Sequence, residues 1–231
     1  MDKNLNNTQE VGKLFIIATP IGNLEDITLR ALRILKEIDL IACEDTRVTS
    51  KLLSHYSISK PLLSLHQHSE EGQFEKIIAE LNAGKNVAYA SDAGTPGVSD
   101  PGNKLVEAAT LENITVVPIP GASALTSLIS VSGIDMQKFI FLGFPPHKKG
   151  RETFFKKVAA EDLPVVYYDS PHRVLKNLEL LEKIGSEKKI IIGRELTKMF
   201  EEIIRGSVED IEKYFESHPE KMKGEFVVIV Y

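Results

Sequence analysis

Tryptophan is absent from the 231 residues, cysteine occurs once, and aromatic side chains make up only 7%. A lone Cys43 excludes a disulfide framework and a cysteine-based zinc centre. No apolar run approaches the roughly 18 residues that a membrane helix needs, and no charged-then-apolar leader opens the chain. Spanning and secreted readings both fail, and the cytoplasm is the expected compartment. A basic excess is lacking as well: 28 Lys and Arg stand against 33 Asp and Glu, for a net charge of −5. That balance speaks against a generic nucleic-acid binder. With 42% hydrophobic and 26% charged residues, the chain has the composition of a globular protein.

The charge is unevenly distributed. Residues 1–118 hold 11 basic and 16 acidic side chains, whereas residues 119–231 hold 17 of each. The composition changes near Pro118-Ile119-Pro120-Gly121, which predicts a domain boundary. The expected organisation is a polar, disordered tail over 1–11, an N-terminal α/β domain over 12–118 and a C-terminal α/β domain over 119–231. In the second half, His147 to Lys157 packs five Lys or Arg against one Glu, with Phe154 and Phe155 among them. The basic surface is therefore local, and a solvated loop with a helix start is its plain alternative.

Apolar runs alternate with amphipathic stretches throughout. In the first half the spacing predicts strands over 14–18, 40–43, 61–65, 86–91 and 114–119. Helices are predicted over 27–38, 47–56, 73–81 and 104–111. Strands of this kind, separated by helices, imply a mostly parallel sheet covered on both faces. In the second half strands are predicted over 139–144, 165–168, 189–193, 202–205 and 225–231, with helices over 124–131, 152–159, 173–184 and 208–215. The last strands follow one another without long crossovers, so a mixed sheet is expected there.

Ligands of open α/β sheets bind beyond the carboxyl ends of the strands, and four segments fall at such places. Thr19-Pro20-Ile21-Gly22-Asn23-Leu24 has neither Gly-x-Gly-x-x-Gly nor Gly-Lys-Ser/Thr spacing, which removes the main support for dinucleotide or nucleoside-triphosphate chemistry. Cys43-Glu44-Asp45-Thr46-Arg47 clusters two carboxylates and a guanidinium; its plain alternative is a cap by Asp45 or Thr46 with Arg47 paired to an acid. Ser91 to Gly102 places three glycines and two prolines in a dozen positions, a preshaped loop whose backbone can approach a ligand. Gly121-Ala122-Ser123-Ala124-Leu125-Thr126 opens a helix with small residues, Ser123 being the natural cap.

Together with Tyr168-Asp169-Ser170-Pro171-His172-Arg173 and Gly193-Arg194-Glu195-Leu196-Thr197-Lys198, these motifs resemble the ribosomal RNA small subunit methyltransferase I family, in order from about Gly12 to Tyr231. The resemblance implies a tetrapyrrole methylase-like fold, two α/β domains with the cofactor in the cleft between them. It also implies 2′-O-methylation of a cytidine ribose in the decoding centre of 16S ribosomal RNA, with S-adenosyl-L-methionine as cofactor. Three departures stand out: Asp169 replaces a usual Glu, Ser69 replaces a usual Asn, and the family's further small helical domain does not follow Gly224 to Tyr231. The last leaves either a short natural version or an incomplete RNA grip.

Carried over residue by residue, the resemblance implies that Pro20, Asp92, Ala93, Gly94, Val98 and Ser99 line the cofactor from the first domain. Ser123 and Ala124 stand at the junction, and Leu142, Tyr168 and Gly224 close the site from the second. A ribose hydroxyl is a weak nucleophile, so a base is expected within hydrogen-bond reach. Asp100, Glu44, Asp45, Glu195 and a Lys198 of lowered pKa are the candidates, and the choice among them stays open. Arg47, Arg173 and Arg194, with Lys198, are expected to hold phosphate and ribose, and Lys148, Lys149 and Arg151 to track the RNA backbone. The histidine pairs His66/His68 and His147/His172 make no persuasive ligand set, so no metal is expected. A homodimer is the implied assembly. Two rival readings are a methyltransferase acting on a tetrapyrrole ring carbon, and a non-catalytic module that binds RNA or the cofactor.

Overall fold

The computed structural model describes residues 10–66, 71–98, 100 and 102–231. The expected tail up to residue 9, together with His68, Ser69 and Ser99, lies outside the described residues. The chain divides into two compact units, Met1–Ala122 and Ser123–Tyr231, so the division falls four residues after the expected 118.

The first unit is a five-stranded sheet in the order β3-β2-β4-β1-β5, built from β1 (Leu14–Ile17), β2 (Leu40–Cys43), β3 (Leu62–Ser64), β4 (Val87–Ala90) and β5 (Val116–Ile119). Every neighbouring pair is parallel. Alternate residues serve opposite faces. Ile41, Cys43, Ala88 and Ala90 pack against Ala31, Ile34 and Leu35 of α1 (Leu29–Glu37) and against Leu52 and Leu53 of α2 (Thr46–His55). Ala42, Val87 and Tyr89 face Ile77 and Leu81 of α3 (Glu71–Asn82) and Leu105 and Ala109 of α4 (Gly102–Leu111). Burial on both sides explains why the central strands read as unbroken apolar runs. Helix α1 starts where it does because the Thr28 hydroxyl accepts the Ala31 N–H at 3.1 Å, satisfying an otherwise orphaned donor.

The second unit holds α5 (Ala124–Ser130), β6 (Ile140–Phe141), α6 (Arg151–Ala160), β7 (Val165–Asp169), α7 (Val174–Lys183), β8 (Ile190–Arg194), β9 (Glu202–Gly206), α8 (Val208–Ser217) and β10 (Phe226–Val230). Its sheet runs β6-β7-β10-β8-β9, parallel only between β6 and β7 and antiparallel elsewhere. Tyr167, Ile190, Ile192, Phe226 and Val228 form one core with α6, α7 and α8. A reciprocal capping box between Ser207 and Asp210 starts α8.

The strand expected over 139–144 is a correction: only Ile140 and Phe141 are strand. Leu142 still donates to the Val166 carbonyl, but Gly143 then takes a φ of +63°. Pro145 and Pro146, which have no N–H to offer a ladder, follow it.

Candidate active site

In the first unit the site is the rim formed where β1, β2 and β4 end. Gly94 is locked to Thr19 in both directions, its N–H donating to the Thr19 carbonyl at 3.1 Å and its carbonyl accepting the Thr19 N–H at 2.9 Å. Its φ of +81° is one that L side chains rarely adopt. That bridge leaves Asp92 and Ala93 exposed. Beside them lies a cavity of about 320 Å³. Pro20, Leu24, Val48 and Leu52 supply its apolar wall, and Thr19, Ser91 and Asp92 its polar end. With Thr49 and Lys51 also on its lining, the cavity can take a flat apolar ring against its wall and hydroxyl or amine groups at Asp92.

The candidate carboxylates of this rim separate by environment. Asp45 caps α2 through the Arg47 N–H at 2.8 Å and is clasped by the Arg47 guanidinium, which holds its pKa down at about 2. It is therefore too weak a base. Asp100 accepts from Gly97 N and Gly102 N, each at 2.8 Å, and so staples the glycine-rich loop shut. Its carboxylate serves the loop, in contrast to the expected catalytic role. Glu44 stands apart. Its Oε1 accepts the Asp92 N–H at 3.3 Å, and the Asp92 carboxylate in turn accepts the Asp45 N–H at 3.0 Å. Partial burial, and then repulsion from Asp92 and Asp100, push the Glu44 pKa up despite the Asp92 N–H. Sequence reasoning missed Tyr89, whose hydroxyl is buried without a hydrogen-bond partner. Burial and the charges of Glu44, Asp100 and Asp92 push its phenol far up. On an apolar strand reading Val-Ala-Tyr-Ala, nothing in the sequence marks it.

In the second unit, the ends of β7 and β8 meet the start of β10, since Phe226 pairs with both Asp169 and Arg194. Ser123 precedes α5 but makes no side-chain cap; its hydroxyl hydrogen-bonds the Tyr168 side chain instead. Leu142 packs half-buried against the core. Gly224 has a φ of +89°, and a Cβ there would lie 2.3 Å from Glu195 Cδ. Only a glycine lets the Glu195 side chain cross this strand entrance.

Lys198 contradicts the expectation of a lowered pKa. It donates to Glu195 Oε1 at 2.7 Å and Glu225 Oε2 at 3.1 Å. These two carboxylates, acting against partial desolvation, raise its pKa and keep it cationic. Glu195 is desolvated too, yet Lys198 and the Glu225 N–H bring it below the usual carboxylate range. Glu195 and Thr197 both have positive φ, at 49° and 67°, which for a β-branched Thr197 is a strained conformation.

Two arginines expected to hold phosphate are otherwise engaged. Arg194 is 7% exposed; its Nε donates to the carbonyls of Lys221 and Lys223 and its Nη1 to that of Phe200. Arg173 donates from Nε to Ser170 Oγ and from Nη1 to the Pro145 carbonyl, both at 3.1 Å. Both act as struts for loops. Arg47 is exposed but closed on Asp45. Of the basic stretch, Lys148 and Lys149 are exposed and Arg151 half-buried. Its two aromatics are not surface groups: Phe155 is fully buried and Phe154 packs against the same core. Val98 is half-buried, and Ala124 is the first residue of α5. Among the described residues no group of three His, Cys, Asp or Glu is placed to hold a metal ion, and no helix is long and apolar enough to cross a membrane.

The family described as Tetrapyrrole (Corrin/Porphyrin) Methylases matches residues 13–212. Among solved structures, a cobalt precorrin-4 methyltransferase of cobalamin biosynthesis has the same fold, with a TM-score of 0.70 at 16% identity over 94% of each chain. A uroporphyrin-III C-methyltransferase from Thermus thermophilus, complexed with S-adenyl homocysteine, reaches 0.62 at 16% identity over 94% of this chain and 97% of its own. Much closer in sequence are proteins named ribosomal RNA small subunit methyltransferase I. That of Thermotoga maritima is 47% identical over 95% of this chain and 98% of its own length. That of Synechocystis is 44% identical over 95% and 79%. The chain belongs to the tetrapyrrole methylase family and, within it, to the ribosomal RNA small subunit methyltransferases I.

Proposed function

We propose that this chain is an S-adenosyl-L-methionine-dependent methyltransferase that methylates the 2′-oxygen of a cytidine ribose in the decoding centre of 16S ribosomal RNA. The observation that carries the reading is the contrast in identity, 47% to a ribosomal RNA methyltransferase along nearly the whole of both chains against 15–22% to tetrapyrrole enzymes of solved structure. We place it in the cytoplasm, acting on the small ribosomal subunit as a homodimer.

S-adenosyl-L-methionine, when bound, supplies a methyl carbon attached to a good leaving group. The first unit's rim suits it: Asp92 and the Ala93 amide for its polar ends, Gly94 shaping the loop through its bridge to Thr19, and Pro20 with the apolar wall for its ring. On the second unit Ser123, Ala124, Leu142, Tyr168 and Gly224 are the corresponding residues. Ser99 belongs to the same expected set.

Glu44 is the general base. When the cofactor supplies its methyl group, the Glu44 carboxylate would take the proton that the ribose hydroxyl gives up. A base whose pKa is raised toward the working pH is better matched to an alcohol than an ordinary carboxylate. Its hydrogen bond from Asp92 N ties the base to the cofactor loop, so that positioning, the larger part of a displacement at an activated carbon, is shared by one rigid rim. Lys198, held cationic, and Arg47 complement the RNA phosphates.

The test is transfer of labelled methyl groups to unmodified small subunits, followed by nucleoside mapping, with a uroporphyrinogen-type substrate as control. A 2′-O-methylcytidine in the subunit RNA is the expected product. Transfer to the ring compound, or to neither, overturns the reading.

A further inference from the structure

Phe144 is an exposed aromatic, 53% accessible, whose ring and backbone both have fixed partners. One side of the ring rests on Tyr168, with ring centroids 5.3 Å apart, and Phe141 meets Tyr168 from another direction at 5.1 Å. The backbone is fixed on either side. The Gly143 carbonyl accepts the Tyr168 N–H at 2.8 Å, and the left-handed φ of Gly143 turns the chain out of β6. Beyond Phe144, Pro145 and Pro146 restrict φ, and Arg173 Nη1 grips the Pro145 carbonyl at 3.1 Å. The exposed cations Lys148 and Lys149 follow within five residues. The aromatics within the basic stretch itself pack against the core, whereas Phe144, just before it, is exposed.

A preorganised flat apolar face flanked by cations is what an unpaired nucleobase with its phosphates requires. Single-stranded RNA is read by bases stacked on aromatic side chains while basic groups follow the backbone. A ring already fixed loses little conformational freedom on binding. We propose that Phe144 is the stacking platform for an unpaired base of the RNA substrate. It is held by Tyr168, Gly143 and Arg173, with Lys148 and Lys149 on the neighbouring phosphates. This rests on the reading of the chain as an RNA methyltransferase, and it assigns Arg173 to positioning.

The test uses the full chain with Phe144→Ala, Phe144→Leu and Phe144→Trp. Binding of a single-stranded, cytidine-containing oligonucleotide carrying a fluorescent base analogue is measured alongside KM for unmodified small subunits, affinity for S-adenosyl-L-methionine and Tm. Phe144→Ala and Phe144→Leu should weaken RNA binding and raise KM by about 10- to 100-fold, the range expected for loss of one stacked base. Phe144→Trp should restore both, along with quenching of the analogue. Cofactor affinity and the salt dependence of RNA binding should stay as in the parent. Parental RNA binding in Phe144→Ala overturns the proposal. So does a fall in cofactor affinity or Tm that Phe144→Trp does not rescue, which makes the ring a support for Tyr168, and so does a change in oligomeric state with RNA binding intact. Because oligonucleotide binding is read without methyl transfer, the two failures are distinguishable: methylation of only a ring compound sinks the proposed function, whereas parental RNA binding in Phe144→Ala with small subunits still methylated sinks this inference alone.

Discussion

Glu44 at a strand end of the first unit and Glu195 at a strand end of the second have opposite surroundings. Glu44 is partly buried with Asp92 and Asp100 for neighbours, and its pKa rises, although the adjacent Asp45, clasped by Arg47, falls. At the strand ends of the second, Glu195 has Lys198 and Glu202 has Lys221, and both pKa values fall despite desolvation. The uneven charge of the two halves of the sequence thus has a local counterpart. Like charges kept together give a proton acceptor of raised pKa, whereas paired charges give struts. On the proposed reading the first rim supplies the base, while in the second unit Arg194 and Arg173 hold loops and Lys198 faces the RNA phosphates.

The sharpest way to break that division is Glu44→Gln. The glutamine carbonyl can still accept the Asp92 N–H, so the loop persists while the base is lost, and kcat should fall by about 100- to 10,000-fold. A base works only when ionised, so activity in the parent should fall as pH drops through a limb lying above the ordinary carboxylate range; that limb should vanish in the variant. At neutral pH Tm should rise, because a group whose pKa is raised by folding destabilises the fold above that pKa. A parental pH profile in Glu44→Gln would move the base elsewhere.

Next in size is Arg194→Ala, which asks whether the second unit's cations are structural. Removing a buried guanidinium that serves three carbonyls and stands 3.8 Å from Glu202 should cost about 3 kcal/mol of stability in denaturant unfolding. Retained stability with lost RNA affinity would return Arg194 to phosphate binding. Gly224→Ala follows at about 2 kcal/mol, from a positive φ and a Cβ driven into Glu195. Its melting curve should show this, and a smaller loss would mean that Glu195 can swing away from Lys198.

Much of this was legible in the sequence because burial writes itself into pattern. The runs at Leu40 to Cys43 and Val87 to Ala90 are apolar throughout because both faces of a parallel sheet are covered, and the glycine-rich loop after β4 is visible as composition. The ends of elements and the roles of charged groups were not. Phe139 to Phe144 reads as a strand, and only the φ of Gly143 and the missing donors of Pro145 and Pro146 say that pairing stops at Phe141. Phe154 and Phe155 lie among lysines and read as surface, yet helical spacing turns both toward the core. A sequence cannot say which acid faces a cation, and for that reason Lys198 read as a base and Arg194 as a phosphate holder.

The smallest expected effect separates charge from stacking on one surface. Each phosphate neutralised on single-stranded RNA contributes about 0.7 to the slope of log affinity against log salt. Lys148 and Lys149 are exposed, so replacing both with Gln should lower the slope by about 1.4. Adding Arg151→Gln should change it little further, because Arg151 is half-buried and its field already acts on Asp169. Lys156 lies in an i,i+4 pair with Glu152 at 2.6 Å and should contribute least. An equal drop from all four would mean a diffuse basic field rather than a backbone track. Phe144→Leu, which removes no charge, should leave the slope unchanged while weakening binding at every salt concentration.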